Sequence, residues 1–199
     1  ASTDATAEVA AARGCRVVRV DKRAIAAARN GGAGAAAGDI LAFVDADTLR
    51  IHPRTFDVID ELISSGRYVA GATGVEMERW SAGIAVTYAL MVPIVWLAGI
   101  DTGVVFCRRE DFEAVGGYDE LLLVAEDAEF LMAMRRLGRR RGQRLVRARS
   151  IKAVASTRKF DEHGDWHYLT MMPRLVIDVL LGRDIAREKI RRYWYLPRR

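Results

Sequence analysis

The stretch Ile40-Leu41-Ala42-Phe43-Val44-Asp45-Ala46-Asp47-Thr48 constrains this chain more than any other. Its apolar part is short, holds Ile, Phe and Val, and follows Gly38-Asp39, which predicts a buried strand. A strand points residues two apart to the same side, so Asp45 and Asp47 are expected to face one place beyond the strand end. Ligands of open α/β sheets gather beyond the carboxyl ends of strands. Two hard oxygen ligands there suit Mg2+ or Mn2+, above all a metal that also holds phosphates. The same pattern serves equally as a solvated turn or a helix N-cap at Asp47-Thr48.

The flanking segments alternate. Residues 7–13 read as an Ala-rich helix, capped by Ser2, Thr3 or Asp4 and stopped by Gly14. Residues 15–20 alternate as a strand does. A second Ala-rich helix at 24–37 is interrupted by Arg29-Asn30-Gly31-Gly32. Glycine inside a helix costs about 1 kcal/mol relative to alanine. The pair therefore signals close approach by a ligand or neighbouring backbone, or a helix break. Phe56, Ile59, Leu62 and Ile63 have helical spacing within 55–65, and 68–72 reads as a strand. This order predicts an α/β domain with a doubly wound, mainly parallel sheet and helices on both faces.

Residues 82–100 carry no charge, which is near the lower limit for a membrane span. Gly83, Pro93 and Gly99 break its regularity, so a buried or interfacial helix is expected. A strand at 101–107, a short helix from Arg108-Arg109-Glu110-Asp111 and a turn at 115–120 follow. In the helix expected at 126–138, Phe130, Leu131, Met134 and Leu137 share a face, and Gly138 is the stop. Glu126 and Asp127 occupy its first turn, where the helix dipole favours anions, and this alone accounts for many such pairs. Residues 145–155 form two short strands or one bent strand, and 156–167 contain a polar, aromatic loop.

The chain has 199 residues, enough for one sizeable domain, here 1–170, followed by a tail at 171–199. Its net charge of +5 fits an anionic ligand or a membrane surface without singling out nucleic acid. The tail mixes apolar residues, arginines and Tyr193-Trp194-Tyr195, as an amphipathic membrane-surface segment does. A terminal helix packed on the domain with a solvated basic face has the same pattern. Cys15 and Cys107 match no metal spacing and read as reduced thiols of a reducing compartment.

One ordered set of motifs carries a family resemblance. Ser2-Thr3-Asp4-Ala5-Thr6, Ala28-Arg29-Asn30-Gly31-Gly32, Ala37-Gly38-Asp39 and Phe43-Val44-Asp45-Ala46-Asp47 resemble the nucleotide-sugar half of family-2 glycosyltransferases of the GT-A fold. Gly103-Val104-Val105-Phe106 through Arg108-Arg109, Gly116-Gly117-Tyr118-Asp119-Glu120 and Glu126-Asp127 resemble their acceptor half. The resemblance runs from Ser2 to about Trp166 and lacks the first strand, its Pro-x-Tyr-Asn-Glu-type loop and the body of the second strand. On that ground the chain reads as an N-terminally truncated piece of a transferase.

The resemblance implies transfer of a sugar from a nucleotide-diphosphate sugar to an acceptor hydroxyl, with inversion and with Mg2+ or Mn2+. It implies that Asp45 approaches the ribose or the metal and that Asp47 binds the metal bridging the diphosphate. Asp4, Arg29, Asn30, Gly103 and Arg158 are then nucleotide-sugar residues. Asp127 is the general base, with Glu126 as its substitute or its orienting group. His163 or His167 completes the metal site, though each also reads as a loop residue. The expected partners are the donor, a carbohydrate or lipid-linked acceptor and a membrane surface, but not nucleic acid. The expected location is cytoplasmic, or peripheral at the inner face of the cell membrane. Two rivals are a metal-dependent nucleotidyltransferase, whose Gly-rich basic loop is not seen, and a membrane-surface module worked by the basic tail.

Overall fold

The computed structural model describes residues 2, 4–98, 101, 103–122 and 124–171. The predicted tail therefore lies outside the described residues apart from Met171. Strand alternation builds two cores. Leu41 and Phe43 of β1 (Ile40–Phe43) face one core together with Val105 and Cys107 of β4 (Val105–Arg108). Ile40, Ala42, Val104 and Phe106 face the other. The first core is closed by α2 (Ile25–Ala35), α5 (Arg109–Val115) and α6 (Glu126–Arg140), through Ala26, Ala33, Phe112, Phe130, Leu131 and Met134. The second is closed by α3 (Thr55–Ser64), whose Ile59 and Ile63 are one helical turn apart. Helices thus lie on both faces of the sheet, as expected for an α/β domain.

The sheet order is β1-β4-β3-β5-β2, where β2 spans Thr48–Ile51, β3 Tyr68–Met77 and β5 Arg144–Ala155. β1, β3 and β5 run the same way, but β4 lies antiparallel between β1 and β3, and β2 lies antiparallel to β5. The mainly parallel expectation thus holds for three strand directions and not for neighbouring pairs, since only β3 and β5 pair parallel. The reason is connection geometry. A parallel neighbour requires a return to the starting end of the sheet. The chain instead leaves β3, forms α4 (Ala82–Ala98) and enters β4 from the end at which β3 finished.

β3 and β5 are long and bend where their register shifts between Thr73 and Gly74. Their first parts lie in the flat of the sheet, and their second parts reach the level at which β2 pairs with Ala153 to Ala155. This bend matters because only residues 44–47 join β1 to β2, the two edge strands. Five Cα steps span at most about 17 Å. Four interstrand gaps in a flat sheet would take about 19 Å. The link is long enough only because the sheet curls.

Several local expectations change. Residues 15–20 form no strand of the sheet. They rest on α2, where Arg16 Nη1 donates to the Ala35 carbonyl at 2.6 Å. α2 is not broken at Arg29-Asn30-Gly31-Gly32: a Cβ on Gly31 would sit 2.6 Å from Val20 Cγ2, so this glycine serves close approach of the preceding segment. Gly138 does not stop α6, which continues to Arg140; it lets the helix settle on Val69, where a Cβ would be 2.7 Å away. The left-handed glycine is Gly142, at φ 70°. β2 was not anticipated, and the expected loop at 156–167 holds α7 (Arg158–His163). α4 is a surface helix: Ile84 and Thr87 are buried, while Val86, Leu90 and Val92 are exposed. Among the described residues no helix is long and apolar enough to cross a membrane.

The two kinds of glycine separate in stability. A Cβ on Gly71 would lie 2.6 Å from the Val146 carbonyl oxygen and 2.7 Å from Phe106 Cζ. Gly71→Ala is expected to cost about 2 kcal/mol or more in urea unfolding through overpacking. Gly32 has open space around its Cβ position inside α2, so Gly32→Ala is expected to gain about 0.5–1 kcal/mol.

Candidate active site

Arg29 projects from α2 into a set of carboxylates. Its Nη2 donates to Asp45 Oδ1 at 2.6 Å, and its Nη1 donates to Glu126 Oε1 at 3.0 Å and Asp127 Oδ1 at 2.8 Å. The Arg29 and Glu126 side chains are only 11% and 9% exposed, and Asp127 17%. A guanidinium shared by three carboxylates at this depth supplies the compensation buried charge requires. Its Nε remains buried without a partner. The guanidinium also lies 5.1 Å from the centroid of the Tyr118 ring, in cation–π geometry.

The neighbouring sequence holds this arrangement in place. Gly116 and Gly117 both adopt positive φ, at 82° and 72°, which turns the chain after α5 and brings Tyr118 beneath Arg29. The Asn30 amide locks that turn. Its Nδ2 donates to the Tyr118 carbonyl at 2.9 Å and to Glu120 Oε1 at 3.0 Å, and its Oδ1 accepts from the Tyr118 amide at 2.9 Å. Tyr118 stacks on Phe130 at 4.4 Å and meets Phe43 edge-on at 5.2 Å, so its ring belongs to the core. Lys22 adds an ion pair to Glu120 at 2.9 Å, and hydrogen bonds from Lys22 and then Asn30 hold that carboxyl below its usual range. Ala125 stands in the left-handed region, at φ 61°, immediately before Glu126 and Asp127. A non-glycine residue held there is the kind of backbone strain found where side chains must be aimed.

Charge tuning follows from burial. Burial raises the Asp127 carboxyl to about 6; the Arg29 cation opposes this, while Glu126 and Asp45 reinforce it. For Arg29, burial works against the charge, but the Asp127 and Asp45 carboxylates outweigh it and hold the guanidinium above its ordinary value. A carboxylate poised near 6 accepts protons at neutral pH better than an ordinary aspartate does.

Asp45 and Asp47 do not share one direction. β1 ends at Phe43, and the Thr48 amide donates to the Asp45 carbonyl at 3.0 Å, so both aspartates lie in a turn where strand alternation no longer operates. Asp45 faces Arg29. Asp47 is exposed on the other side of the turn, where its carbonyl accepts from the Ser156 amide at 3.0 Å. With Arg158 and Lys159, Asp47 lines a cavity of about 290 Å3. Burial lowers the Lys159 ammonium, and the Asp47 carboxylate acts the other way.

The remaining expected site residues are more dispersed. The His163 and His167 rings lie 5.3 Å apart. Their Nδ1 atoms sit 3.1 Å and 2.6 Å from the Lys159 and Gly164 carbonyls. A carbonyl accepts, so the proton belongs on Nδ1 and the ring lone pair on Nε2. Among the described residues no three His, Cys, Asp or Glu side chains stand close enough to hold a metal. Asp4 accepts from the Thr6 amide at 3.1 Å and from its hydroxyl, at the start of α1 (Thr6–Ala12). Gly103 meets β3: its amide donates to the Thr73 carbonyl at 3.2 Å, and a Cβ would lie 2.3 Å from Thr73 Oγ1. Arg158 is exposed and lies 3.8 Å from Glu162. The sequence names Tyr118 only within the Gly116-Gly117-Tyr118-Asp119-Glu120 motif and assigns no role to Lys159. The Gly-Gly turn before Tyr118 was a usable signal; nothing local to Lys159 was.

Comparison with known proteins fits this architecture. Residues 1–77 match the family model "Glycosyl transferase family 2", in line with the resemblance. No curated protein matches the chain. Among solved structures, a mycobacterial protein is 22% identical with a TM-score of 0.55, over 92% of this chain and 62% of its own. Glucosyl-3-phosphoglycerate synthase from Mycobacterium tuberculosis, in complex with Mn2+ and uridine-diphosphate-glucose, is 21% identical with a TM-score of 0.50, over 92% of this chain and 65% of its own. The same synthase in complex with phosphoglyceric acid gives 21% and 0.50, with 66% of its length covered. The chain thus spans somewhat under two thirds of the length of these structures, and its fold is the expected GT-A-like one.

The raised Asp127 carboxyl has a stability consequence. An acid whose folded value lies above its unfolded one binds more protons when folded, so stability falls as pH rises between the two values. Unfolding free energy is expected to fall between pH 3.8 and about 6 through this group, and Asp127→Asn should flatten that limb in urea titrations across the range. Arg29→Met should cost about 3 kcal/mol at pH 7.5, because it strands buried carboxylates, and less at pH 5, where Asp127 takes up a proton.

Proposed function

We propose that this chain is the greater part of a family-2 glycosyltransferase that moves a sugar from a nucleoside-diphosphate sugar to an acceptor hydroxyl with inversion. The observation that carries the reading is the single Arg29 guanidinium, which ties Asp45, on the turn expected at the donor, to Asp127, a buried carboxylate raised to about 6. The match of residues 1–77 to the family and the likeness to a synthase holding Mn2+ and uridine-diphosphate-glucose support it.

Asp127 accepts the proton of the acceptor hydroxyl as that oxygen bonds to the anomeric carbon, and the bond from that carbon to the diphosphate breaks on the opposite face. Positioned proton transfer of this kind contributes roughly 10²–10⁴-fold. Glu126, on the same guanidinium, orients Asp127. Asp45 with Arg29 and Asn30 faces the nucleoside. A diphosphate-bound cation needs only one or two protein carboxylates, because phosphates and waters fill its other positions. Asp47, which lines the cavity, fits that demand, with His163 or His167 at Nε2 as a further ligand; Asp45 is engaged by Arg29 instead, and the dispersed set does not fit an all-protein cage. Mg2+ or Mn2+ held there would stabilise the negative charge developing on the leaving diphosphate. Arg158 and Lys159, which line the same cavity as Asp47, would add to that stabilisation. A small hydroxylated acceptor bearing an anionic group, of the phosphoglyceric acid kind, is the first class to assay.

Isothermal titration of uridine-diphosphate-glucose with and without Mn2+ tests the reading. Metal-dependent binding by the parent and at least about tenfold weaker binding by Asp47→Ala are expected, the loss of one charged ligand. Equal binding by both proteins, or transfer with retention of the anomeric centre, would contradict it.

Association with a membrane surface is a second reading, favoured by the exposed Val86, Leu90 and Val92 on α4. Co-sedimentation with anionic vesicles should then fall when Leu90 is changed to Glu; undiminished co-sedimentation would remove α4 from the contact.

A further inference from the structure

Two consecutive residues after β3 grip the segment that carries the cations beside Asp47. Glu78 donates its amide to the Ala155 carbonyl at 3.0 Å. Its Oε2 accepts from the Thr157 amide at 3.2 Å and lies 3.4 Å from the Ser156 and Thr157 hydroxyls. Arg79 then spans α7 and the turn after it. Its Nε donates to Asp161 Oδ1 at 2.9 Å, and its Nη2 and Nη1 donate to Asp165 Oδ1 and Oδ2 at 2.7 Å and 3.3 Å. Gly83 allows the same turn to press on α4, since a Cβ there would lie 2.6 Å from the Asp165 carbonyl oxygen. The stretch from Ser156 to Asp165 is therefore held at its start, middle and end. It is also held to the site, because the Ser156 amide donates to the Asp47 carbonyl at 3.0 Å.

An ion pair as exposed as this one contributes little to overall stability. The Arg79 side chain is 38% exposed and Asp161 55%. A planar fork on two carboxylates does, however, fix orientation, which a lysine in its place cannot do. What it orients is α7, whose first two residues are Arg158 and Lys159. Both line the cavity that Asp47 also lines.

We propose that Arg79, with Glu78, is a positioning residue for diphosphate recognition: it holds α7 so that Lys159 and Arg158 meet two linked phosphates at the Asp45-Ala46-Asp47 turn. The inference deepens the glycosyltransferase reading and names the part of the donor that this wall of the cavity takes. Arg79 touches no phosphate itself; it acts through α7.

The test titrates inorganic pyrophosphate, inorganic phosphate and uridine-diphosphate-glucose, each with Mn2+, into the full chain, Arg79→Ala, Arg79→Lys, and Asp161→Asn/Asp165→Asn, which opens the clamp from its other end. Pyrophosphate is expected to bind the parent at least about tenfold more tightly than phosphate, and that margin is expected to shrink to about twofold in Arg79→Ala and in the double variant. Arg79→Lys should recover only part of it, and the melting temperature should barely move. Pyrophosphate binding no tighter than phosphate in the parent, or a margin that survives in Arg79→Ala or in the double variant, overturns the proposal. A margin that behaves as expected while uridine-diphosphate-glucose fails to bind upholds the diphosphate site and counts against the donor reading instead.

Discussion

Everything around the candidate site depends on the buried positive charge of Arg29. Three carboxylates from two distant parts of the chain approach within 3.0 Å of its guanidinium. Without a cation, their mutual repulsion and desolvation would drive α6 away from the β1 turn. With it, the start of α6 is bound to α2 and to the turn after β1. Tyr118 supplies the floor beneath that cation and is itself fixed by Asn30, one residue further along α2. Consecutive residues of one helix thus do two jobs: Arg29 collects charge, and Asn30 sets the aromatic surface against which the charge rests.

Much of this was legible in the sequence. The apolar periods of β1, α3 and α6 are clean, and the structure bears them out to within about two residues at each end, the usual scatter of helix limits. Arg29, Asn30, Asp45, Glu126 and Asp127 could be named as candidates because each sits on a short motif; the structure gathers the three carboxylates on Arg29, and Asn30 holds Tyr118 and Glu120 beside them. What sequence could not show was direction. Asp45 and Asp47 are two residues apart, but a turn replaces the strand between them, and Asp45 meets Arg29 while Asp47 lines the cavity with Arg158 and Lys159. Pairing was equally hidden. Residues 15–20 have the alternation of a strand and rest on α2 outside the sheet, whereas Thr48–Ile51 has a weak pattern and becomes β2 because β5 lies beside it. Strand formation is decided by partners far away in sequence, while helix formation is decided mostly within the segment.

The glycines show the same division between local and distant causes. Gly116, Gly117 and Gly142 are where they are because of their own backbone angles, and turn patterns in the sequence point to such positions. Gly31, Gly71, Gly83, Gly103 and Gly138 have ordinary angles and are required by what lies against them. Those contacts join α2 to the preceding segment, β3 to its sheet neighbours, α4 to the turn after α7, β4 to β3, and α6 to β3. No periodicity within a segment reveals them, which is why Gly138 reads as a stop and why the sequence leaves Gly31 open between close approach and a helix break.

The link of residues 44–47 joins opposite edges of one curled sheet through only four residues, closed by the hydrogen bond from the Thr48 amide to the Asp45 carbonyl. A short tether closed by a hydrogen bond transmits displacement, where a long loop would absorb it. If β2 or the far half of β5 shifts, the turn must either follow or pull on β1. The two walls of the site, the Arg29 cluster on one side and α7 on the other, are therefore gauged against each other by the length of the chain between them. Their spacing is set by a covalent ruler and not by side-chain packing alone.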